Sequence, residues 1–349
     1  MPKKVDCNLK LSDLKSSKLS NERIKTDIVP FDSIINGGFE TTGTIVQIIS
    51  SSGLGKSSIS CQICLALCNK GFNALYIDTE GSIGLDLLSS VGLIDYLDNH
   101  FFYIRESSFS KVEQVMDQFI STNEIQFIVI DSLANLMHDG FDDLSLNKNK
   151  PIKDENKKEK NGAISITTNN SNYNSRQLTL FLNKYSMISK EKKISMIYIN
   201  QFRTRITNLF NYAEEKIGGS KNVKYNSDII IKISNNISTE NKDFKTFVNK
   251  ESEDKIGRDL EFEIIKSNQS RPGRKIPFRL IFGKGISNKY CGFYALYKLG
   301  LITKSSSTYY YTKNGLQKKY SGKDDLLAKY EDWYDASYEE ITNFYNNIK

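Results

Sequence analysis

The stretch TIVQIISSSGLGKSS, residues 44–58, decides the fold class of this chain. It opens with an apolar run of β type, changes abruptly to small residues, and reaches GKS (55–57) just before a segment of helical period at 59–67. A strand, a Gly/Ser-rich loop and a helix in this order are the context of a phosphate-binding P-loop. Ser50 occupies the first position, where the pattern has glycine, and serine is small enough for the loop to turn. The competing interpretation is a plain strand-to-helix connector.

In a P-loop, backbone N–H groups turn inward around phosphate oxygens at the positive end of the following helix. Lys56 would then reach the β- and γ-phosphates, and the Ser57 hydroxyl would take a coordination place on Mg²⁺. The residues predicted to contact the nucleotide are consecutive: Ser52, Gly53, Leu54, Gly55, Lys56, Ser57 and Ser58. The sequence therefore predicts a nucleotide site with a magnesium ion.

Composition is that of a globular protein with a mild basic excess. The 349 residues are 39% hydrophobic, and 48 Lys and Arg against 41 Asp and Glu give a net charge of +7. This length fits one large α/β domain with an appendage, or two domains. The charge is compatible with nucleic acid but does not require it. No apolar run approaches the roughly 20 residues of a membrane span, and the N-terminus lacks a signal-peptide core, so a cytosolic protein is expected.

Cysteine spacing does not predict a metal centre. Cys61, Cys64 and Cys68 recur at helical spacing, but a second cysteine pair is missing and His100 and His138 are the only histidines. Zinc sites need two such pairs at characteristic spacing. The three thiols are therefore expected to be buried on the helix after the P-loop.

Strands and helices alternate along most of the chain. Apolar strands are predicted at 45–49, 73–78, 101–105, 126–131 and 194–200, and helices at 59–67, 85–92, 112–120 and 178–188. Continuous apolar strands separated by helices indicate a mostly parallel sheet flanked by helices on both faces. Function in such a sheet gathers at the carboxyl ends of the strands.

Three polar residues stand at those ends. Asp131 follows FIVI and has the form of a Walker B acid that supports Mg²⁺. Glu80 follows the 73–78 strand and is placed to activate water as a general base, against the alternative of a solvated loop acid. Gln201 ends the 194–200 strand and is suited to sense a γ-phosphate. Together with the P-loop, these positions predict catalysis at one edge of the sheet.

Two segments interrupt the alternation. Residues 140–174 are a long polar run without periodicity, of a kind that is usually functional or disordered. Residues 202–224 combine basic residues, aromatic residues and two adjacent glycines, a composition suited to single-stranded nucleic acid. The candidate DNA-binding residues in this second segment are Arg203, Arg205, Phe210, Lys216, Gly218, Gly219 and Lys221. A solvated surface loop is the alternative.

These motifs resemble the RecA family of homologous-recombination ATPases, in its bacterial and phage-type branches, from about residue 24 to about 329. The resemblance is carried by SSSGLGKSS (50–58), YIDTEG (76–81), FIVIDSLANL (127–136), IYINQFRTRI (197–206), LFNYAEEKIGGSKNVKYNSDIIIKI (209–233), IIKSNQSRPGRKIPFRLIFGKGI (264–286) and ALYKLGLITKSSSTYYYTKNG (295–315). INQ followed by Arg203, a Phe-containing loop and GG is far more discriminating than the P-loop, which many unrelated ATPases share.

The resemblance implies a RecA-like P-loop core at 26–286, a polymerisation arm at 1–25 and a small C-terminal α+β domain at 287–349. It implies ATP and Mg²⁺ as cofactors and catalytic roles for Lys56, Glu80 and Gln201. It makes 140–174 and 202–224 the two DNA loops, with Phe210 as the stacking aromatic of the second. Lys266 matches the lysine that reaches a neighbour's ATP in a filament, a head-to-tail contact that generates open helices.

The sequence also departs from the family pattern. Leu87 stands where bacterial members carry an adenine-stacking tyrosine, and Asn268 replaces a second interface lysine. Residues 238–259 are expected to form an extended hairpin tip, and aromatic residues after 324 to form the core of a small C-terminal domain.

Taken together, the sequence predicts an ATP-dependent DNA strand-exchange recombinase. It would act in homologous recombination and repair, on single- and double-stranded DNA, as a helical homo-oligomer. It would be cytoplasmic and associated with the nucleoid, or lie in the host cytoplasm if a phage encodes it. Two alternatives remain open, a regulatory paralogue that binds a recombinase without exchanging strands and a hexameric helicase or clock-type ATPase.

Overall fold

The computed structural model describes residues 22–122, 124–137, 164–207, 212–217, 221–235, 247–248 and 255–348. The α-helices are α1 (Val29–Ile34), α2 (Lys56–Cys68), α3 (Leu85–Val91), α4 (Phe109–Ser121), α5 (Ile164–Lys192), α6 (Lys221–Tyr225), α7 (Asn288–Lys298), α8 (Lys323–Ala328) and α9 (Tyr338–Asn347). The first eight strands are β1 (Arg23–Ile24), β2 (Phe39–Glu40), β3 (Ile45–Ser50), β4 (Ala74–Asp78), β5 (Phe101–Arg105), β6 (Phe127–Asp131), β7 (Ser195–Thr207) and β8 (Tyr212–Ile217). The others are β9 (Ile229–Asn235), β10 (Phe247–Val248), β11 (Lys255–Ser267), β12 (Lys275–Ile281), β13 (Gly285–Ile286), β14 (Ile302–Ser305), β15 (Thr308–Lys313) and β16 (Leu316–Tyr320).

A large central sheet organises the molecule. Its strand order is β13-β12-β11-β9-β3-β7-β6-β4-β5, with β8 beside β7 and β10 beside β11. The strands from β9 to β5 in this order pair in parallel, and β9, β11, β12 and β13 continue the sheet with antiparallel pairs. Every residue of β3 is buried, because strands lie on both sides and helices cover both faces. The predicted α/β class with a mostly parallel sheet is confirmed.

Each face of the sheet has its own apolar cluster. One cluster contains α2, and there Cys61, Cys64 and Cys68 are buried, as the helical spacing predicted. The other joins α4 to α5, where the Phe109 and Phe181 rings meet edge to face with centroids 5.9 Å apart. Because these strands run parallel, their carboxyl ends lie at one common edge of the sheet.

Helix α5 is longer than its apolar pattern indicated. The predicted helix covered 178–188, and the structure has Ile164–Lys192, so the end of the predicted loop 140–174 is helical. The rest of that loop, 140–163, lies outside the described residues. Residues 164–174 have no apolar period, but adding turns to an anchored helix costs little once nucleation has been overcome. Periodicity predicted only the part of the helix that carries an apolar pattern.

Strand β7 also passes its predicted end. Gln201 was expected to end the strand, yet β7 runs to Thr207 and pairs antiparallel with β8, with Arg203 opposite Lys216. Gln201 is instead the last β7 residue that pairs with β3, opposite Ser50. The predicted loop 202–224 is therefore largely a two-stranded ribbon followed by the short helix α6, because FRTRIT (202–207) alternates apolar or β-branched residues with arginine.

The ends of the described chain pack on this core. Arg23 of β1 donates to the carbonyl oxygens of Ile35 and Gly38 at 3.3 and 2.9 Å, and the remainder of the predicted arm, residues 1–21, lies outside the described residues. The C-terminal segment forms the three-stranded sheet β14-β15-β16 with α7 to α9, and Trp333 is fully buried there, as its aromatic pattern predicted. In the described part of the chain, no helix combines the length and apolarity needed to cross a membrane.

Candidate nucleotide site and its link to the basic ribbon

The predicted P-loop has two glycines in the left-handed backbone region, Gly53 and Gly55. It follows buried β3 and ends at Gly55, whose φ of +78° is left-handed and directly precedes the first residue of α2. A Cβ at Gly55 would lie 2.3 Å from Cδ2 of Leu280, so a side chain there would have to displace the Leu280 side chain of β12. Glycine is therefore required at this position by both conformation and space.

The Lys56 ammonium folds back over the loop. Its Nζ donates to the Ser50 hydroxyl at 2.9 Å and to the carbonyl oxygens of Ser51 and Ser50 at 3.1 and 3.3 Å. Burial lowers the pKa of Lys56, while Asp131 and Glu80 act in the opposite direction. Ser50, the residue that replaces glycine, is thus a direct partner of the lysine. An anion in the loop would relieve the cost of burying this ammonium.

Ser57 and Asp131, the two residues predicted to hold Mg²⁺, lie in direct contact. The Ser57 hydroxyl donates to Oδ2 of Asp131 at 2.6 Å, and the Tyr76 hydroxyl donates to the same oxygen at 2.8 Å. Burial raises the pKa of Asp131, and these two hydrogen bonds oppose the shift. A hydroxyl and a carboxylate this close offer the oxygen ligands that Mg²⁺ prefers. The pair fits a magnesium ion that takes its other ligands from phosphate and water. Within the described ranges, no group of three or more His, Cys, Asp or Glu side chains could hold a metal ion.

Glu80 and Gln201 are joined directly. Gln201 Nε2 donates to Oε1 of Glu80 at 2.8 Å, and the Ser132 hydroxyl donates to the same oxygen at 2.7 Å. The residue after Asp131 therefore orients the predicted general base, a role that no spacing in the sequence revealed. The hydroxyl oxygen of Thr79 bridges the backbone of Ser132, 2.7 Å from both its N–H and its carbonyl oxygen. These contacts hold the ends of β4, β6 and β7 together.

The structure separates Lys266 from the P-loop of its own chain. Its Nζ donates to the carbonyl oxygens of Ser227, Lys224 and Tyr225 at 2.7, 2.9 and 3.3 Å, which are the acceptors at the end of α6. Burial lowers the pKa of Lys266. Its predicted contact with the nucleotide of a neighbouring subunit stays a prediction.

The candidate DNA residues are placed only in part. Phe210, Gly218 and Gly219 lie outside the described residues. Arg203 and Arg205 follow Gln201 on β7, two and four residues further along, and Lys216 and Lys221 belong to β8 and α6. Of the predicted hairpin at 238–259, the structure describes β10, which pairs antiparallel with the start of β11. Residues 236–246 and 249–254 lie outside the described residues.

A cavity of about 600 Å³ adjoins the site on the β9 side. Ser51 and Leu54 of the P-loop line it together with Phe202 and with residues of β9, β11 and β12, most of which are charged or polar. The Lys232 ammonium stands 4.9 Å from the centre of the Phe202 ring. Cation–π contact of this kind ties the residue after Gln201 to β9.

The turn after β12 closes the other flank of the P-loop helix. Gln62 of α2 accepts from the Ile286 N–H at 2.6 Å and donates to its carbonyl oxygen at 2.8 Å. The Ser90 hydroxyl of α3 donates to the Gly283 carbonyl oxygen at 2.6 Å. Phe282, on this turn, is 41% exposed. An exposed aromatic ring therefore lies in the turn that α3, the helix of Leu87, contacts.

The fold and this edge define an α/β protein of the P-loop class. The family described as "RecA N-terminal domain" matches residues 155–287. Proteins named "Protein RecA" are similar over most of the chain. That of Mycoplasma mobile is 25% identical over 301 residues, covering 86% of this chain and 79% of the relative. That of Ureaplasma parvum serovar 3 is 24% identical over 340 residues, with 97% and 90% covered. "Protein RecA, plasmid" of Lactococcus lactis subsp. lactis is 20% identical over 334 residues, with 96% and 87% covered.

These similarities confirm the resemblance to the RecA family. The family match begins within the predicted loop 140–174 and ends at the residue after β13, so it includes Gln201 and the basic ribbon. The P-loop, Glu80 and Asp131 precede it and are covered by the similarity to whole RecA proteins only.

Proposed function

We propose that this chain is an ATP-dependent DNA strand-exchange recombinase that forms helical filaments on single-stranded DNA. One observation carries the proposal: β7 bears Gln201, bonded to Glu80, and continues without interruption into Arg203 and Arg205. A strand advances about 3.3 Å per residue, so the first arginine lies roughly 7 Å along the chain from the amide. A nucleotide that holds Gln201 would thereby favour one arrangement of the basic ribbon, which is the pair of strands β7 and β8 beyond Gln201. Hydrolysis would release the ribbon from that arrangement.

Each predicted residue has a distinct part in this mechanism. Backbone N–H groups of 52–57 bind the phosphates with Lys56, while Ser57 and Asp131 hold Mg²⁺, which supplies charge neutralisation at the phosphate oxygens when bound. Glu80 accepts a proton from the attacking water, and Ser132 and Gln201 keep its carboxylate in place. The exposed ring of Phe282, in the turn that α3 contacts, would offer adenine the stacking surface that Leu87 lacks. Lys266 contacts the nucleotide of the next subunit in the filament.

The DNA contacts follow from charge. Arg and Lys of the ribbon bind phosphates, so affinity falls as salt rises. Sequence homology is read by base pairing, because one protein must serve all sequences. We place this activity in the cytoplasm, with residues 287–349 as a small domain at the end of the ATPase core.

The test is ATP hydrolysis by the full chain with and without single-stranded DNA across a salt series. Lys56→Ala should abolish hydrolysis, and Glu80→Gln should lower kcat by about 10²- to 10⁴-fold while ATP still binds. Lys70→Ala is the matched control, since Lys70 pairs with Asp27 at 2.6 Å and has no part in the proposed mechanism. Strand exchange and filaments seen by electron microscopy should accompany stimulated hydrolysis.

Hydrolysis that single-stranded DNA does not stimulate, or ATP binding without hydrolysis, would contradict the proposal. That result would favour the regulatory paralogue. Rings in place of extended filaments would favour a helicase or clock-type ATPase.

A further inference from the structure

The turn that carries Glu80 is built on a buried carboxylate. Asp78, the last residue of β4, is fully buried. Its Oδ1 accepts from the backbone N–H groups of Glu80, Gly81 and Ser82 at 3.1, 2.7 and 3.3 Å. Its Oδ2 accepts from the N–H of Ile83 at 3.0 Å. One carboxylate therefore fixes the backbone of the whole turn from 80 to 83.

A tyrosine on the neighbouring strand completes this arrangement. The Tyr103 hydroxyl of β5 donates to Oδ2 of Asp78 at 2.8 Å, and the Ile83 carbonyl oxygen lies 3.3 Å from the same hydroxyl. Burial raises the pKa of Tyr103, and the hydrogen bond to Asp78 adds to the shift, so the hydroxyl keeps its proton and acts as a donor. The Tyr103 hydroxyl therefore contacts the turn at both of its ends, Asp78 and Ile83.

Arg105 covers the other side of the turn. Gly81 has a φ of +64°, and a Cβ built there would lie 2.0 Å from a guanidinium nitrogen of Arg105. The guanidinium therefore packs against the Gly81 backbone, and a side chain at position 81 would have to displace it. The turn is enclosed by two residues of β5, Tyr103 and Arg105, neither of which belongs to a P-loop or Walker pattern.

We propose that Tyr103 is a positioning residue for Glu80 and that it acts through Asp78. This inference rests on the proposed ATPase function of the same site. Glu80 is held at two places: its backbone N–H by Asp78, and its carboxylate by Ser132 and Gln201. Tyr103 fixes the rotamer of Asp78 and so controls the first of these. The nucleotide-contacting loop 52–58 belongs to a different strand end and is not part of this network.

The physical consequence is a separable effect on catalysis. A general base works only within hydrogen-bond reach of its proton, and a displacement of about 1 Å can cost on the order of 100-fold in rate. Removing one donor to Asp78 leaves four backbone donors in place, so the expected displacement is smaller. Tyr103→Phe should lower kcat for ATP by about 10-fold and leave the dissociation constant of the nucleotide unchanged.

Tyr96→Phe is the matched control. It makes the same chemical change, and its hydroxyl donates to Asn69 Oδ1, away from the turn. This variant should hydrolyse ATP like the wild type. In the Glu80→Gln background, Tyr103→Phe should cause no further loss, because a residue that acts through Glu80 has nothing left to position.

Amide hydrogen exchange tests the inference without hydrolysis. The N–H groups of residues 80–83 should exchange faster in Tyr103→Phe than in the wild type and in Tyr96→Phe. Wild-type exchange and undiminished kcat in Tyr103→Phe would overturn the inference, as would an equal loss of rate with and without Glu80. A wild type without DNA-stimulated hydrolysis would overturn the proposed function, and the exchange measurement would then show whether the Tyr103–Asp78 contact still orders the turn.

Discussion

At the scale of single residues, the hydrogen-bond partners of each polar group decide what it contributes. Lys56, Asp131 and Glu80 all have partners within the described chain, and these partners are other members of the same edge. A buried polar group with a partner contributes modestly to stability, and one without a partner is costly. The contrast between two glutamines shows this difference within one fold.

Gln47 lies in the middle of β3, is fully buried, and has no hydrogen-bond partner for either amide atom among the described residues. We predict that Gln47→Met raises the free energy of unfolding by about 1–2 kcal/mol, because it removes an unpaired buried amide at similar volume. Urea unfolding followed by circular dichroism measures the change.

Gln62→Met is the matched control, since both amide atoms of Gln62 bond to Ile286. This variant should lower the free energy of unfolding by a similar amount. Changes of the same sign in the two variants would show that hydrogen bonding does not distinguish these glutamines.

Asp32 gives a pH dependence of known sign. Burial raises its pKa to about 6, against hydrogen bonds from Thr26 and the Asp27 N–H. The folded state therefore binds this proton more tightly than the unfolded state, whose value is 3.8. The contribution of Asp32 to the free energy of unfolding therefore falls by up to roughly 3 kcal/mol as pH rises from about 4 to about 6. Above that range the contribution is constant.

Comparing wild type and Asp32→Asn in urea at pH values from 4 to 7 isolates this contribution. The stability of the wild type relative to the variant should decline across the window and level off above it. A constant difference at all pH values would mean that Asp32 has an ordinary pKa in the folded protein.

At the scale of elements, the β11–β12 turn fastens the C-terminal helix to the core. Arg274 donates to the carbonyl oxygens of Tyr345, Ile348 and Asn346 at 2.7, 2.8 and 3.1 Å. The same guanidinium donates to the carbonyl and hydroxyl oxygens of Ser33 in α1 at 2.9 and 3.0 Å. One side chain thus satisfies the end of α9 and joins it to α1.

We predict that Arg274→Lys lowers the free energy of unfolding by roughly 2–3 kcal/mol, because a single ammonium cannot reach all of these acceptors. Amide exchange in α9 should become faster. Arg271→Lys, an exposed position on the same turn, is the control and should match the wild type. Equal stability of the two variants would show that the Arg274 hydrogen bonds do not fasten α9 to the core.

At the scale of the whole molecule, the core is continuous from the sheet into the C-terminal segment. Trp333, Ile341 and Tyr345 share one apolar cluster with Phe31 and with the residues around α2. Elements that share a core are expected to unfold together. Residues 287–349 would therefore not need to fold as a separate unit in order to have a function of their own.

We predict a single cooperative unfolding transition. The chain has one tryptophan, Trp333, which is fully buried in the C-terminal segment, so its fluorescence reports that segment alone. Far-ultraviolet circular dichroism reports the whole chain. The two urea curves should coincide, and an earlier fluorescence transition would show that the C-terminal segment unfolds by itself.

The sequence by itself determined the α/β class, the position of the P-loop, the apolar parts of the parallel strands and the burial of the cysteines. These features follow from local patterns, because strand and helix periodicity records which side chains face the core. Asp131 and Glu80 could be singled out for the same reason, since Asp131 ends one apolar strand and Glu80 lies two residues after the end of another.

Only the tertiary structure decided where α5 begins and where β7 ends. It also decided which residues serve Glu80. Ser132, Asp78 and Tyr103 come from three neighbouring strands, and no spacing along the chain relates them. Their roles depend on hydrogen bonds between atoms that only the sheet order brings within 3 Å. Periodicity encodes burial, whereas the direction of a hydrogen bond is set by the assembled fold.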